Sequence, residues 1–351
     1  MERSLDSLAG MAKSAFGAGT SAAMRQATSP KTILEYIINF FTCGGIRRRN
    51  ETQYQELIET MAETLKSTMP DRGAPLPENI ILDDMDGCRV EFNLPGENNE
   101  AGQVIVRVSK GDHSETREIP LASFEKICRA LLFRCEFSLP QDSVILTAQG
   151  GMNLKGAVLT GANLTSENLC DADLSGANLE GAVLFMADCE GANFKGANLS
   201  GTSLGDSNFK NACLEDSIMC GATLDHANLT GANLQHASLL GCSMIECNCS
   251  GANMDHANVS GATLIRADMS GATLQGATII MAADMEGAIL TRANLQKASF
   301  ISTNLGEADL SEANLKNTSF KDCTLTDLRT EDATMSTSTQ TLFNVFYSEN
   351  I

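Results

Sequence analysis

The sequence predicts a mainly β solenoid of stacked five-residue units, preceded by a small α+β domain. Three observations predict it. From about Ala157 onward a small residue, usually Ala, stands two positions before an apolar residue, usually Leu. Asn, Asp, Ser or Thr usually lies between them and Gly often opens the unit, as in Gly196-Ala-Asn-Leu-Ser200, Gly231-Ala-Asn-Leu-Gln235 and Glu312-Ala-Asn-Leu-Lys316. The apolar centres keep phase from Leu154 to Ile279, resume one residue late at Met285 and run on to Leu325. A fixed short period is one structural unit stacked on itself, and roughly 35 copies are enough for a solenoid.

The unit dictates its own geometry. Its period matches neither a helix nor a strand. It suits a chain that turns a corner once per unit and points two residues inward, such as Ala197 and Leu199. Ala leaves room for the neighbouring wall, while Leu, Met or Phe fills the axis. The Asn or Asp between them hydrogen-bonds local backbone and supports a turn. Gly supplies the positive φ that a corner requires. Pro is absent after Pro140, as befits coils that exchange backbone hydrogen bonds. The phase slip near Ile280 and Met281 predicts one bulged corner.

With these units in view, the A(D/N)LXX pattern resembles the pentapeptide-repeat family over about half the chain, here residues 150–328. The resemblance implies a right-handed quadrilateral β-helix with one unit per side. With coils about 4.8 Å apart, roughly nine of them make a column of about 40 Å. The same geometry stacks Phe300 beneath Phe320.

Ahead of the repeat, residues 1–30 are rich in Ser, Ala, Gly and Met and read as a flexible segment. Residues 31–145 read as the α+β domain. It opens with Thr32-Ile-Leu-Glu-Tyr-Ile-Ile-Asn-Phe-Phe41, too short for a bilayer span of about 20 residues. Ile37, Ile38, Phe40 and Phe41 stand beside the basic cluster Arg47, Arg48 and Arg49. An apolar stretch next to positive charge makes 32–49 a candidate contact with an anionic membrane surface; an ordinary core helix is the competing reading. Glu51 to Met69 is amphipathic and predicts a helix. Cys88–Leu94 and Gln103–Val108 predict strands, and Ala122–Phe133 a second helix. After Leu325 the pattern decays, and 329–351 reads as a tail ending in Leu342-Phe-Asn-Val-Phe-Tyr-Ser-Glu-Asn-Ile351. That ending is aromatic in a chain with 5% aromatics. It predicts either a cap on the last coil or a partner-binding peptide anchored by Leu342, Phe343, Asn344, Phe346, Tyr347 and Ile351.

Composition narrows the function classes. The formal net charge is −19, and Lys and Arg are too sparse in the repeat for a phosphate-tracking groove, which argues against direct nucleic-acid binding. Of twelve cysteines, Cys189, Cys242, Cys247, Cys249 and Cys323 fall at inward places and predict packing rather than metal ligation. Gly201-Thr-Ser-Leu-Gly205 matches a nucleophile-elbow pattern, but Leu204 is an in-phase centre, so no strand-to-helix elbow is expected. His236 and His256 are predicted one coil apart on an outer face. No residue set points to catalysis, and no cofactor or metal is expected. One surface feature stands out. Leu240, Ile245, Ile265, Ile280 and Ile301 occupy outward places that mostly carry polar residues. They are predicted to gather along one corner as a strip for a partner or for self-association.

Beyond the repeat, Met1–Thr28, the domain to Pro140 and the closing Phe-Tyr-Ser-Glu-Asn-Ile resemble pentapeptide-repeat effectors that vacuole-dwelling enteric bacteria inject through a type III secretion system. The resemblance implies a non-enzymatic adaptor and makes residues 1–30 a secretion signal. Such an adaptor sits on host vacuole and tubule membranes. It recruits host kinesin, through its light chain, and drives membranes outward along microtubules. The resemblance also places the motor-recruiting element in Leu342–Ile351, where this chain departs at Val345 from an acidic residue of the related tail. The alternative is an acidic β-helix that mimics DNA and inhibits a topoisomerase. Mimicry needs continuous negative charge, and Asp171, Asp173, Glu215, Asp216, Glu307 and Asp309 read as scattered.

Overall fold

The computed structural model describes residues 50–69, 75–85, 88–95, 102–110, 112–139, 146–147 and 149–349. The chain divides into two compact units, Met1–Asn153 and Leu154–Ile351.

In the first unit, helix α1 (Asn50–Thr68) precedes strands β1 (Asn79–Met85), β2 (Cys88–Asn93), β3 (Gln103–Lys110) and β4 (His113–Pro120), and helix α2 (Leu121–Glu136) follows. The strands form one antiparallel sheet in the order β1-β2-β3-β4. Alternation sets its faces. Ile80, Leu82, Val90, Phe92, Val104 and Val106 are buried, while Ile81 and Ile105 face outward. Phe92 stacks on Phe124 of α2 at 4.9 Å between ring centroids, and Met61 and Leu65 of α1 complete the core. The two predicted helices and two predicted strands are present. The sequence reading missed β1 and β4. The latter alternates exposed Ser114, Thr116 and Glu118, and it lies at the sheet edge, where one-sided pairing tolerates a polar run.

The second unit is a right-handed quadrilateral β-helix. Parallel bridges link residues twenty apart, from Val158↔Asn178 through Asn198↔Ile218 to Asn258↔Thr278. One unit shows the wiring. The Asn198 N–H donates to Ala177 O at 2.9 Å in one neighbouring coil, and the Leu199 N–H donates to Ile218 O at 2.6 Å in the other. The corner closes where the Ala197 N–H donates to Phe194 O at 2.9 Å, a β-turn bond. Ala197 and Leu199 are fully buried, as the pattern predicts.

The phase slip is a one-residue bulge. Bridging runs twenty apart at Asn258↔Thr278 but twenty-one apart at Thr263↔Asp284. Met281 and Ala282 absorb the extra residue in left-handed conformations, φ 64° and 58°, and Met281 is 67% exposed.

Pairing continues past the predicted end of the repeat at residue 328. Among the longer strand pairs of the final coils, β5 (Thr278–Ile279), β6 (Ser299–Ile301) and β8 (Ser319–Lys321) form one parallel sheet. Asp309↔Arg329 follows the same register, and β7 (Asn314–Leu315) pairs with β9 (Thr334–Met335). Coil pairing uses backbone groups, so it outlasts the side-chain pattern that made the repeat legible. Helix α3 (Thr337–Glu349) then ends the described chain.

Candidate functional site: the outer columns and the terminal helix

Stacking converts every sequence position into a column along the β-helix. Where Asn and Asp stack on the same wall, they form hydrogen-bonded rungs between coils. Asn198 Nδ2 donates to Asn178 Oδ1 at 3.2 Å, Asn193 Nδ2 to Asp173 Oδ1 at 3.1 Å and Asn208 Nδ2 to Asp188 Oδ1 at 2.9 Å. Each such residue also closes its own corner: the Ser200 N–H and hydroxyl both donate to Asn198 Oδ1, at 3.1 and 2.7 Å. The local turn was readable in the sequence. The cross-coil rungs needed the register.

The inward cysteines pack as expected. Cys189, Cys242, Cys247 and Cys249 are buried, and Cys323 is half-buried. Burial pushes the Cys242 thiol up to about 12 and holds Cys189 well above the usual thiol range. Cys247 is also raised, first by its sulfur contact with Cys249 at 3.6 Å and then by burial. The thiols of Cys189, Cys242 and Cys247 are protonated packing groups, not nucleophiles. Leu204 is likewise fully buried at a coil centre, so Ser203 sits on a wall and on no elbow. His236 and His256 stack as predicted, centroids 5.2 Å apart and planes 10° apart. Among the described residues no group of three or more His, Cys, Asp or Glu could hold a metal ion.

The predicted apolar strip falls into two columns. Leu240, Ser260, Ile280 and Ile301 form one, and Ser260 interrupts it at 2% exposure, sheltered between its neighbours. Leu240 is 39% exposed, while Ile245, Ile265, Ile280 and Ile301 are half-buried. Ile245 and Ile265 form the second column between Asp225 and Glu286, and Asp225 Oδ1 accepts the Ile245 N–H at 3.0 Å. The sequence reading missed Met281, which the bulge pushes out beside the first column, and the exposed pair Phe185 and Met186.

The six carboxylates weighed in the sequence do spread over three edges, Asp171 with Asp173, Glu215 with Asp216 and Glu307 with Asp309, but further carboxylates join the last of these. The register gathers Asp188, Asp206, Asp225, Glu246, Asp268, Asp284, Glu286, Glu307, Asp309 and Asp327 along one edge, against Arg266 and Arg329. The edge is not a continuous line of charge. Asn208, Asn228, Asn248 and Ile289 separate Asp188, Asp268 and Asp309, and Glu246 lies within ion-pair reach of His226 and Arg266.

At the end of the column α3 closes the axis. Phe300 stacks on Phe320 at 5.0 Å and 7°, as the sequence predicted, and Phe343 meets Phe320 edge-on at 5.3 Å. Phe343 is 1% exposed and plugs the last coil in this structure, the cap of the two alternatives left open by the sequence. The physical reason is that an open solenoid end leaves its axial side chains in water unless something covers them. Leu342 and Asn344 lie on the outer side of the same helix, with Leu342 37% exposed. Phe346 and Tyr347 are in α3, but their side chains lie outside the described residues, as does Ile351. Ile37, Ile38, Phe40, Phe41 and Arg47 to Arg49 lie outside them as well. No helix among the described residues is long and apolar enough to cross a membrane.

A one-unit-per-side β-helix with Asn and Asp rungs defines a class, and the chain belongs to the pentapeptide-repeat family. Residues 153–185, 187–225, 223–261, 242–279, 252–292 and 288–327 match pentapeptide repeats, and residues 27–134 match the family described as secreted effector protein PipB2, N-terminal domain. The chain is 99% identical over 220 residues to the secreted effector protein PipB2 of Salmonella typhimurium, a stretch that makes up 63% of each. The chain thus spans less than two thirds of that relative's length in the match. The secreted effector protein PipB of the same organism is 34% identical over 155 residues, 44% of this chain and 53% of that protein. Among solved structures, HetL is a pentapeptide repeat protein involved in heterocyst differentiation regulation in the cyanobacterium Nostoc. It is 27% identical, covers 52% of this chain and 86% of its own, and has a TM-score of 0.32.

Proposed function

We propose that the chain is a secreted bacterial effector that acts without catalysis, as an adaptor between a host membrane and a host motor. The membrane is that of the bacterial vacuole and its tubules, contacted through residues 32–49. The motor is kinesin, engaged through its light chain by Leu342–Ile351, so that membranes move outward along microtubules. The observation that carries the reading is an inert column ending in an aromatic helix. Inward positions are spent on packing and many outward ones on hydrogen-bonded rungs, and the departure comes at the terminal coil. The likeness to a secreted effector supports the same class. The strip around Leu240 and Ile265 serves self-association in this reading, tested by charging Ile245 and Ile265 together and measuring the oligomeric state by sedimentation.

The deciding experiment is recovery of kinesin light chain from host cytosol by the intact chain and by a chain ending at Thr341. Recovery by the intact chain alone is the expected result. Equal recovery by both moves the contact elsewhere, and recovery by neither ends the motor reading. The biased acidic edge is the one observation that favours the DNA-mimic alternative, and its interruptions rank that reading second. Inhibition of DNA supercoiling by the chain would promote it.

A further inference from the structure

Two facts about α3 conflict if the tail is a recognition peptide. Recognition needs its aromatic side chains in a partner's groove, yet Phe343 is packed against Phe320 with 1% of its surface exposed. The same ring cannot be in both places. We propose that α3 is an autoinhibitory latch: the β-helix holds Phe343 in its open end, and the tail binds its partner only after α3 has undocked. The proposal rests on the tail-recruitment reading above and adds a gate to it.

Among the described side chains, Thr339 and Phe343 hold the inner face of the latch. Inward-facing Thr339, 4% exposed, donates its hydroxyl to Thr318 O at 3.3 Å, and Ser336 Oγ lies 2.8 Å from Thr339 Oγ1. Phe343, four residues on, falls on the same helix face and supplies the large apolar contact. The outer side carries Thr337, Ser338, Gln340, Thr341 and Asn344, all exposed. A helix of thirteen residues with this composition does not hold itself together in water, so its helicity depends on docking. Undocking therefore frees the ring and also returns the segment to an extendable peptide. Binding to the open form alone makes apparent affinity scale with the open fraction. The β-helix beneath is a separate matter, because its coils are joined by backbone bonds on wall after wall. A latch seated on the open end through Thr339 and Phe343 can open without unravelling them.

The test uses the full chain, two latch-breaking variants and the free peptide 337–351. Thr339→Glu places a charge in a buried contact outside Leu342–Ile351, and Phe320→Ala removes the surface on which Phe343 rests. Circular dichroism verifies that each keeps its β-helix. Hydrogen exchange reads the latch without any partner. Amides of Thr337–Glu349 are expected to be protected in the full chain, and to exchange at least about tenfold faster in both variants. Exchange in the full chain as fast as in the free peptide overturns the proposal. Affinity for purified kinesin light chain reads the gate. The free peptide and both variants are expected to bind about tenfold or more tighter than the full chain. Equal affinity of peptide, variants and full chain overturns the gate while sparing the motor reading. A free peptide that does not bind overturns the motor reading and, with it, the gated partner.

Discussion

Asn198 shows how much one side chain does in this fold. Its Oδ1 accepts two hydrogen bonds from Ser200 and so holds the corner, and its Nδ2 donates to Asn178 and so ties the corner to the coil next to it. Glycine works by absence. Gly276 has φ 67°, and a Cβ there would meet His256 Nδ1 at 2.7 Å, whereas Gly201 at φ 62° faces open space. Both positions cost an L-residue about 1 kcal/mol in backbone strain. Gly276→Ala is expected to cost about 1 kcal/mol more than Gly201→Ala in urea unfolding, from displacing the imidazole. His256→Ala in the same chain is expected to remove that excess; an excess that persists would mean the ring is not its source. Cys242 sets a pH dependence. Its thiol, normally near 9.0, is pushed up to about 12 by burial, so the folded state favours the neutral form. The unfolded chain ionises first. The stability contributed by the neutral thiol is full below pH 9.0 and is lost as pH rises toward about 12. The difference in urea stability between the parent and Cys242→Ala is expected to be flat below pH 9.0 and to shift in favour of the variant above it.

Elements in the β-helix are defined by register more than by local propensity. Most wall strands are single-residue bridges, and no window of sequence would be read as a strand. The bulge makes the point experimentally accessible. Met281 and Ala282 are exposed, and removing either restores the spacing of the neighbouring coils. Deleting Ala282 is expected to leave the β circular-dichroism spectrum intact. Deleting Asn253, whose bridges run in register on both sides, shifts the inward residues from Met254 to Ile279 off their columns, until the extra residue at Met281 and Ala282 restores the phase. That chain is expected to lose several kcal/mol, in keeping with removing buried side chains at about 2–5 kcal/mol each. Equal tolerance of the two deletions would contradict the register account. In the first unit, by contrast, helices and inner strands follow ordinary periodicity. The predicted helices therefore match α1 and α2, while the polar edge strand β4 escaped notice.

At the scale of the whole molecule the division at Asn153 separates two kinds of order. The β-helix is paired coil to coil by backbone bonds and closed by Phe343, so its stability is a property of neighbouring coils and of its ends. Residues 154–351 expressed alone are expected to keep a β spectrum and to unfold in one cooperative urea transition. A disordered fragment would show that the first unit is needed for its order. The sequence alone determined the solenoid, its inward residues, the phase slip and the stacking of Phe300 on Phe320, because a repeated unit has one way to bury its apolar positions and must bury them identically each time. Only the tertiary structure decided how far the coils run beyond the legible repeat, which edge collects the carboxylates and that Phe343 faces the axis. Those depend on which residues come to lie twenty positions apart and on what is left to cover the final coil.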